Sequence, residues 1–285
     1  MACWKRLLTW DPNITKIYTA SVATIRNVLQ VKEPTLTKLL HWIAHSTPEA
    51  YVSKLQQQDI HVLQLDDPSY PSLLAEIYDP PVLLYGKGNL QLLATKKIAL
   101  VGSRSPTSYG AHAVESLTKV LTEANVTIVS GMARGIDAHA HRFAIKAGGS
   151  TIAVTASGFE HPYPVGSKLF MEESPSTALL TISEYPPHVK PQKWHFPMRN
   201  RIISGLSYAT IVIEAKQKSG SLITADCALE QGRHVFALPG SIYSLESEGA
   251  NWLISQGAYC LYHERALFEC MPSFMSNSIE EQRFC

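Results

Sequence analysis

The sequence predicts an α/β protein with an extended Rossmann-like, doubly wound, mostly parallel sheet, preceded by a small helical domain. Three observations carry that expectation. From Lys97 onward, short apolar runs alternate with helical patterns. The runs are apolar at successive positions, as in strands buried on both faces. Several of them give way to loops rich in glycine and serine, the composition suited to the carboxyl edge of such a sheet.

The elements follow in order. Ala20 to Gln30 and Leu36 to Ala44 place apolar residues three and four apart, which reads as helix. Thr47-Pro48-Glu49 reads as a helix start, with Thr47 as N-cap and Pro48 in the first turn. Asp66 to Pro71 is a turn-rich connector, and Val82 to Tyr85 a short strand ended by Gly86-Lys87-Gly88. Strands are expected at Ile98 to Val101, Thr127 to Val129, Thr151 to Thr155, Leu179 to Ile182, Ala209 to Ile213 and His234 to Leu238. Helices are expected at Tyr109 to Ala124, Ala138 to Ala147 and Ser221 to Gln231. After Phe268 the periodicity is lost, and Met271 to Cys285 reads as a frayed tail. The organisation is therefore a helical domain over residues 1–65, the Rossmann-like domain over 66–268 and a tail over 269–285.

Composition narrows the function classes. Of 285 residues, 45% are hydrophobic and 17% charged, an ordinary globular balance. No apolar run reaches the roughly 18 residues of a membrane span, and the apolar stretch near the start is too short for a signal peptide. A cytoplasmic protein is expected. The five cysteines, Cys3, Cys227, Cys260, Cys270 and Cys285, form no C-x-x-C pair. A zinc site and a disulfide framework are not expected, and Cys227 and Cys260 read as buried small hydrophobes. Net charge is only +1, yet no acidic residue lies between Glu184 and Glu214. That gap holds Lys190, Lys193, Arg199 and Arg201 with His188 and His195, so the chain is neutral overall and locally basic.

The loops after the strands carry the chemistry. Gly102-Ser103-Arg104 follows one strand, Ser130-Gly131-Met132-Ala133-Arg134-Gly135 the next, and Lys218-Ser219-Gly220-Ser221 a third. Glycine permits close backbone approach, helix N-termini present free N–H groups, and serine hydroxyls add donors. Arg104, Arg134 and Lys218 add charge. Together these loops suit a phosphate group; singly, each reads equally well as an ordinary turn.

No P-loop, G-x-G-x-x-G fingerprint or G-x-S-x-G elbow is present, and no cofactor is expected. His139 and His141 stand two apart on a helix and so face different ways, which does not make a metal pair.

Lys193-Trp194-His195-Phe196-Pro197-Met198-Arg199-Asn200-Arg201 joins cations, aromatic rings and an amide. Cations hold a phosphate backbone, and an aromatic face accepts a base with little regard to its identity. Simpler roles stand beside this one: Trp194 as core, Arg199 and Arg201 as partners of Glu184 or Glu214, Asn200 as a turn cap.

At these motifs the chain resembles the DprA/Smf family, the DNA-processing protein A of bacterial natural transformation. The resemblance runs from about Tyr70 to Gly257. It includes Asp79-Pro80-Pro81, Val101-Gly102-Ser103-Arg104, Ser130 to Asp137, Ser183-Glu184-Tyr185-Pro186, Phe196 to Arg201, Ser219 to Ala225 and Pro239-Gly240. It implies a homodimeric protein that binds single-stranded DNA without sequence preference, protects it and loads RecA recombinase, catalysing no reaction itself. Single-strand-binding protein is a further implied partner. Arg104 is similar to the family's phosphate-binding arginine, and Lys193 and Phe196 to its lysine and base-contacting aromatic. Lys218, Ser219, Gly220 and Ser221 resemble the pocket loop facing them. Gly102, Ser103, Ser130, Gly131 and Arg134 resemble the rest of the cradle, and Arg199, Asn200 and Arg201 continue the binding segment.

Two departures stand out. Gly158 to Pro164 lacks the Gly-Leu-Asp usual before Tyr-Pro, and only a short tail follows Phe268, where the family commonly has a winged helix. The first sixty residues resemble its sterile-alpha-motif-like domain only loosely. The competing expectation is a nucleotide-phosphate hydrolase using the same site, with Glu214 or Asp137 as general acid or base.

Overall fold

The computed structural model describes residues 6–7, 9–11 and 16–274. The chain divides into two compact units, Met1–Ile60 and His61–Cys285.

The first unit contains α1 (Val22–Leu29), α2 (Glu33–His45) and α3 (Pro48–Gln57). Its helix starts follow from sequence. The Ser21 hydroxyl accepts from the Thr24 N–H, and Thr47 does the same for Ala50, with Pro48 in the first turn of α3. Ile25, Leu29 and Leu36 pack with Leu7 and Ile17 into a core of this unit's own.

The second unit is built on one sheet of nine strands. These are β1 (His61–Gln64), β2 (Leu83–Gly88), β3 (Lys97–Val101), β4 (Thr127–Ser130), β5 (Thr151–Val154), β6 (Leu179–Ser183), β7 (Ala209–Val212), β8 (His234–Ala237) and β9 (Tyr259–Cys260). Their order is β1-β2-β6-β5-β4-β3-β7-β8-β9. Strands β3 to β9 run parallel, while β1 and β2 add an antiparallel edge beside β6. From β3 the chain winds outward through β4, β5 and β6, then returns to lay β7 on the other side of β3. The order therefore reverses between β3 and β7, where a doubly wound sheet opens a crevice.

Helices cover both faces. They are α4 (Ser72–Ala75), α5 (Ser108–Glu123), α6 (Ile136–Lys146), α7 (Ser167–Glu173), α8 (His195–Gly205), α9 (Gly220–Glu230), α10 (Glu248–Ser255) and α11 (Ala266–Cys270). Alternation along β3 divides the core. Ile98 and Leu100 join Val114, Leu117 and Leu121 of α5 and Ile136, Ala140 and Ala144 of α6. Ala99 and Val101 join Ile202 and Ile203 of α8 and Leu222, Ala225 and Ala228 of α9. Burying one such leucine or isoleucine contributes about 1.5–3 kcal/mol, and these side chains are almost wholly removed from water. Leu253 belongs to the second of these cores, and Ile254 packs against it.

The expected strands and helices are present within three residues at either end, and the departures have physical reasons. Gly86-Lys87-Gly88 does not end its strand but continues β2, pairing with β6 through backbone groups that need no side chain. The short strands β1 and β9 carry too few buried side chains to leave a periodic trace. Residues 269–274 do not fray: Met271 and Phe274 are buried against the α5–α6 face of the sheet. Phe274 also meets the Tyr208 ring edge-on at 5.2 Å. Residues 275–285 of the expected tail, with Cys3 and Cys285, lie outside the described residues. Cys260 is exposed on the edge strand β9 and Cys227 half-buried, so neither is the fully buried hydrophobe expected. Among the described residues no helix is long and apolar enough to cross a membrane.

His141 sits wholly inside, on α6. The Thr151 hydroxyl donates to the Ile128 carbonyl at 2.9 Å, so it must accept from His141 Nδ1–H at 2.7 Å. That leaves Nε2 bare, with no partner among the described residues. Burial first, then the nearby charge of Arg199, lowers the ring's pKa to about 3. Between that value and the ordinary 6.5 the unfolded chain binds a proton that the folded one refuses, so stability falls as pH drops through this window. Urea unfolding at pH 7 and pH 4 should show the wild type losing about 2–3 kcal/mol more than His141→Gln on acidification. Parallel losses in the two proteins would contradict the buried neutral ring.

Candidate functional site

A cleft of about 780 Å³ opens where the strand order reverses, at the carboxyl ends of β3 and β7. Its floor is the turn leaving β3, with Gly102, Ser103 and Arg104. One wall is the segment entering α8, with Lys193, Phe196, Arg199 and Asn200. The facing wall is the loop after β7 and the start of α9, with Lys218, Ser219, Gly220 and Ser221. The floor thus meets walls about a hundred residues further along the chain because the sheet topology brings their strand ends together.

Each wall is held by identifiable bonds. Ser219 caps α9, accepting from the Ser221 N–H at 3.3 Å while the two hydroxyls lie 2.7 Å apart. Asn200 does not cap a turn. Its amide donates to the Gly220 carbonyl at 3.1 Å, which ties α8 to the α9 loop. The floor is anchored through Glu214, buried at the end of β7, which accepts from both the backbone N–H and the hydroxyl of Thr107. That use of Glu214 keeps it out of the cleft lining, and the general-base role weighed for it has no support in its placement.

Deep in the cleft lining lie two buried, opposite charges, Asp137 and Arg199. Asp137, inside the first turn of α6, accepts from the backbone N–H groups of Gly131 at 3.1 Å and Ala133 at 3.3 Å. The Arg199 guanidinium donates to the carbonyls of Gly131 and Val154 and to Asn200 Oδ1. Burial pushes the Asp137 carboxyl up, and Arg199 works against that shift. Burial also lowers Arg199, to about 10, while Asp137 opposes the change, so the arginine is charged at neutral pH. Gly131 is pressed between them: a Cβ there would stand 2.7 Å from both Arg199 Nη2 and Asp137 Oδ2.

This arrangement corrects part of the expected cradle. Ser130 is fully buried, and its hydroxyl donates to Leu100 O at 2.6 Å. The Gly131 and Ala133 amides point inward to Asp137, so this turn offers its N–H groups to a carboxylate of the protein rather than to a ligand. Neither Ser130 nor Gly131 lines the cleft, and Arg134 is exposed outside it. Arg201, one residue past Asn200 on the helix, faces elsewhere and pairs with Glu184 at 2.6 Å and Asp79 at 3.5 Å. Ser103 lines the cleft, but its hydroxyl donates to Glu246 Oε2 at 2.8 Å.

Arg104, Lys193 and Lys218 are exposed at the cleft, with no hydrogen-bond or ion-pair partner among the described residues. Phe196 faces them, meeting the Tyr163 ring edge-on at 5.3 Å. Trp194 is not core but 56% exposed, and His195 beneath it stacks on Tyr185 at 3.9 Å. Three free cations beside an aromatic pair can hold a phosphate backbone and offer a ring face to a base. Among the described residues no group of His, Cys, Asp and Glu is arranged to hold a metal ion.

Sequence reasoning did not find Tyr163, Lys216 or Glu246, all of which line the cleft. Tyr163 lies within the stretch singled out as irregular, but only the fold brings it to Phe196. Lys216 and Glu246 carry no motif and are thirty positions apart.

Gly135 fixes how the floor meets α6. It has φ +77°, and a Cβ would stand 2.3 Å from Ser103 O, which accepts the Ile136 N–H at 3.0 Å. Gly232 also has positive φ but open space around it. In urea denaturation Gly135→Ala should lose several times the stability lost by Gly232→Ala, for which about 1 kcal/mol is expected. Equal losses would show that the close approach to Ser103 is not a constraint.

Known proteins share both fold and sequence. A family model described as DNA recombination-mediator protein A matches residues 61–272. DNA processing protein DprA of Bacillus subtilis is 43% identical over 270 residues, covering 93% of this chain and 90% of the relative. The Streptococcus pneumoniae protein of the same name is 49% identical over 210 residues, covering 74% of this chain and 73% of the relative. The X-ray structure of the pneumococcal protein matches with a TM-score of 0.78 at 39% identity, covering 93% of this chain and 90% of that one. DNA processing protein A of Helicobacter pylori, described for its single-stranded DNA binding mode, matches with a TM-score of 0.67 at 30% identity. That match covers 76% of this chain and 97% of the other.

Proposed function

Because the chain belongs to the DNA recombination-mediator protein A family, we propose that its sheet unit binds single-stranded DNA without sequence preference. One observation carries the reading: Arg104, Lys193 and Lys218, all unpaired among the described residues, converge with Phe196 on a single cleft. The cations take successive phosphates, and the Phe196 ring, set edge-on to Tyr163, presents a face on which any base can stack. Gly102 and Gly220 allow the strand's backbone to approach the loops closely. The start of α9, with Ser219 and Ser221, supplies an electropositive helix end. The small helical unit is a separate module of the same protein.

In the cytoplasm the bound strand would be shielded and then handed to RecA recombinase, with the protein acting as a homodimer and meeting single-strand-binding protein on the same DNA. These steps follow from family membership rather than from the cleft. Binding without turnover is favoured over hydrolysis because both candidate carboxylates are committed. Glu214 holds Thr107, and Asp137 holds the Gly131 and Ala133 amides.

Fluorescence anisotropy with oligo-dT tests this. Affinity should fall steeply with salt, and Arg104→Ala and Lys193→Ala should each weaken binding and flatten the logarithmic salt slope by about 0.7. Phe196→Ala should remove a stacking contribution of about 1–3 kcal/mol at every salt concentration. Arg201→Ala, which breaks pairs outside the cleft, should lower stability and leave affinity within about twofold. Undiminished binding by Arg104→Ala would sink the assignment.

A further inference from the structure

The cleft carries an acidic side chain that a simple anion site would not keep. Glu246 lines it beside the floor residue Ser103, with its side chain 17% exposed. Oε2 accepts the Ser103 hydroxyl at 2.8 Å, and Oε1 pairs with Lys216 at 3.0 Å. The backbone is pinned as well: the Glu246 carbonyl accepts the Ala215 N–H at 2.7 Å, at the end of β7. The carboxylate is thus built into the wall and does not hang from a free loop. It takes up one lysine and one hydroxyl that would otherwise bind a ligand anion.

Resting on the DNA-binding reading above, we propose that Glu246 is a specificity-determining residue. It lessens the advantage that the cleft's cations would otherwise give a doubly charged terminal phosphomonoester, free nucleotides included, over the internal phosphodiester of a strand. A diester carries a single negative charge, whereas a monoester carries about −1.5 to −2 at neutral pH. The exposed cations Arg104, Lys193 and Lys218 attract both. A fixed carboxylate beside Ser103 repels the second charge of the monoester more than it disturbs the diester. Rejection by a placed repulsive group is how a site discriminates ligands that share their attractive contacts. Lys216, more exposed to water than the carboxylate, offsets this repulsion only in part. The consequence is a site that mononucleotides occupy less readily than its cations alone would dictate.

The test compares oligo-dT with a 5′-hydroxyl, the dinucleotide thymidylyl-thymidine, and thymidine 5′-monophosphate. The two small ligands compete against labelled oligo-dT on the full-length protein. Glu246→Gln keeps an acceptor for Ser103 and removes the charge, so it should raise monophosphate affinity relative to the dinucleotide by roughly fivefold, the effect of one unit charge a few ångströms away in water. Lys216→Met leaves Glu246 without its counter-charge and should shift the ratio the opposite way. An unchanged ratio in both variants, with oligo-dT still bound, would overturn this proposal alone. Failure of the wild type to bind oligo-dT at all would overturn the DNA-binding reading and this inference with it.

Discussion

The buried Arg199 guanidinium is the interaction on which the rest of the cleft depends. A cation removed from water must be met by acceptors or it destabilises the fold by several kcal/mol. Here the acceptors are the carbonyls of Gly131 and Val154, at the ends of neighbouring strands β4 and β5, with Asp137 close by. One side chain therefore clamps α8 onto the carboxyl edge of the sheet. Since Lys193 and Phe196 sit at the entry to that helix, the clamp sets where they stand relative to Arg104. Asn200 extends the hold to the loop after β7 through Gly220. The arginine that looked like a ligand contact serves as the frame for the contacts.

Charge in the site is consequently layered. The inner layer, Arg199 with Asp137 and Glu214 with Thr107, is satisfied by the protein itself. The outer layer, Arg104, Lys193 and Lys218, faces solvent without partners among the described residues. Glu246 and Lys216 lie between the two, paired with each other while lining the cleft. A ligand meets exposed, hydrated cations over a base of charges that the protein has already satisfied.

The sheet was legible in sequence because its core strands are continuous apolar runs, and the helices because α5 and α6 keep their apolar residues three and four apart. The edge strands were not, since β1 shows one buried residue in four and β9 none. For the site, motifs located the right loops but could not say which side of each loop faces outward. Ser130, Gly131 and Arg199 belong to the same patterns as Arg104, yet they turn inward because α6 places Asp137 under the β4 turn. Arg201 shares a helix with Arg199 but meets Glu184 and Asp79 instead. Tyr163, Lys216 and Glu246 left no local trace, because only the closed fold brings them to the cleft.

The cleft's walls come from separate β-strand and helix units, with the floor after β3, one side before α8, another after β7, and Glu246 still further on. No fragment of the chain holds the whole site, so occupancy and global folding are thermodynamically linked. A ligand present at a hundred times its dissociation constant would add about 2.7 kcal/mol to the stability of the entire sheet unit. A bound ligand would then protect against every opening that dismantles the cleft, wherever along the chain it begins.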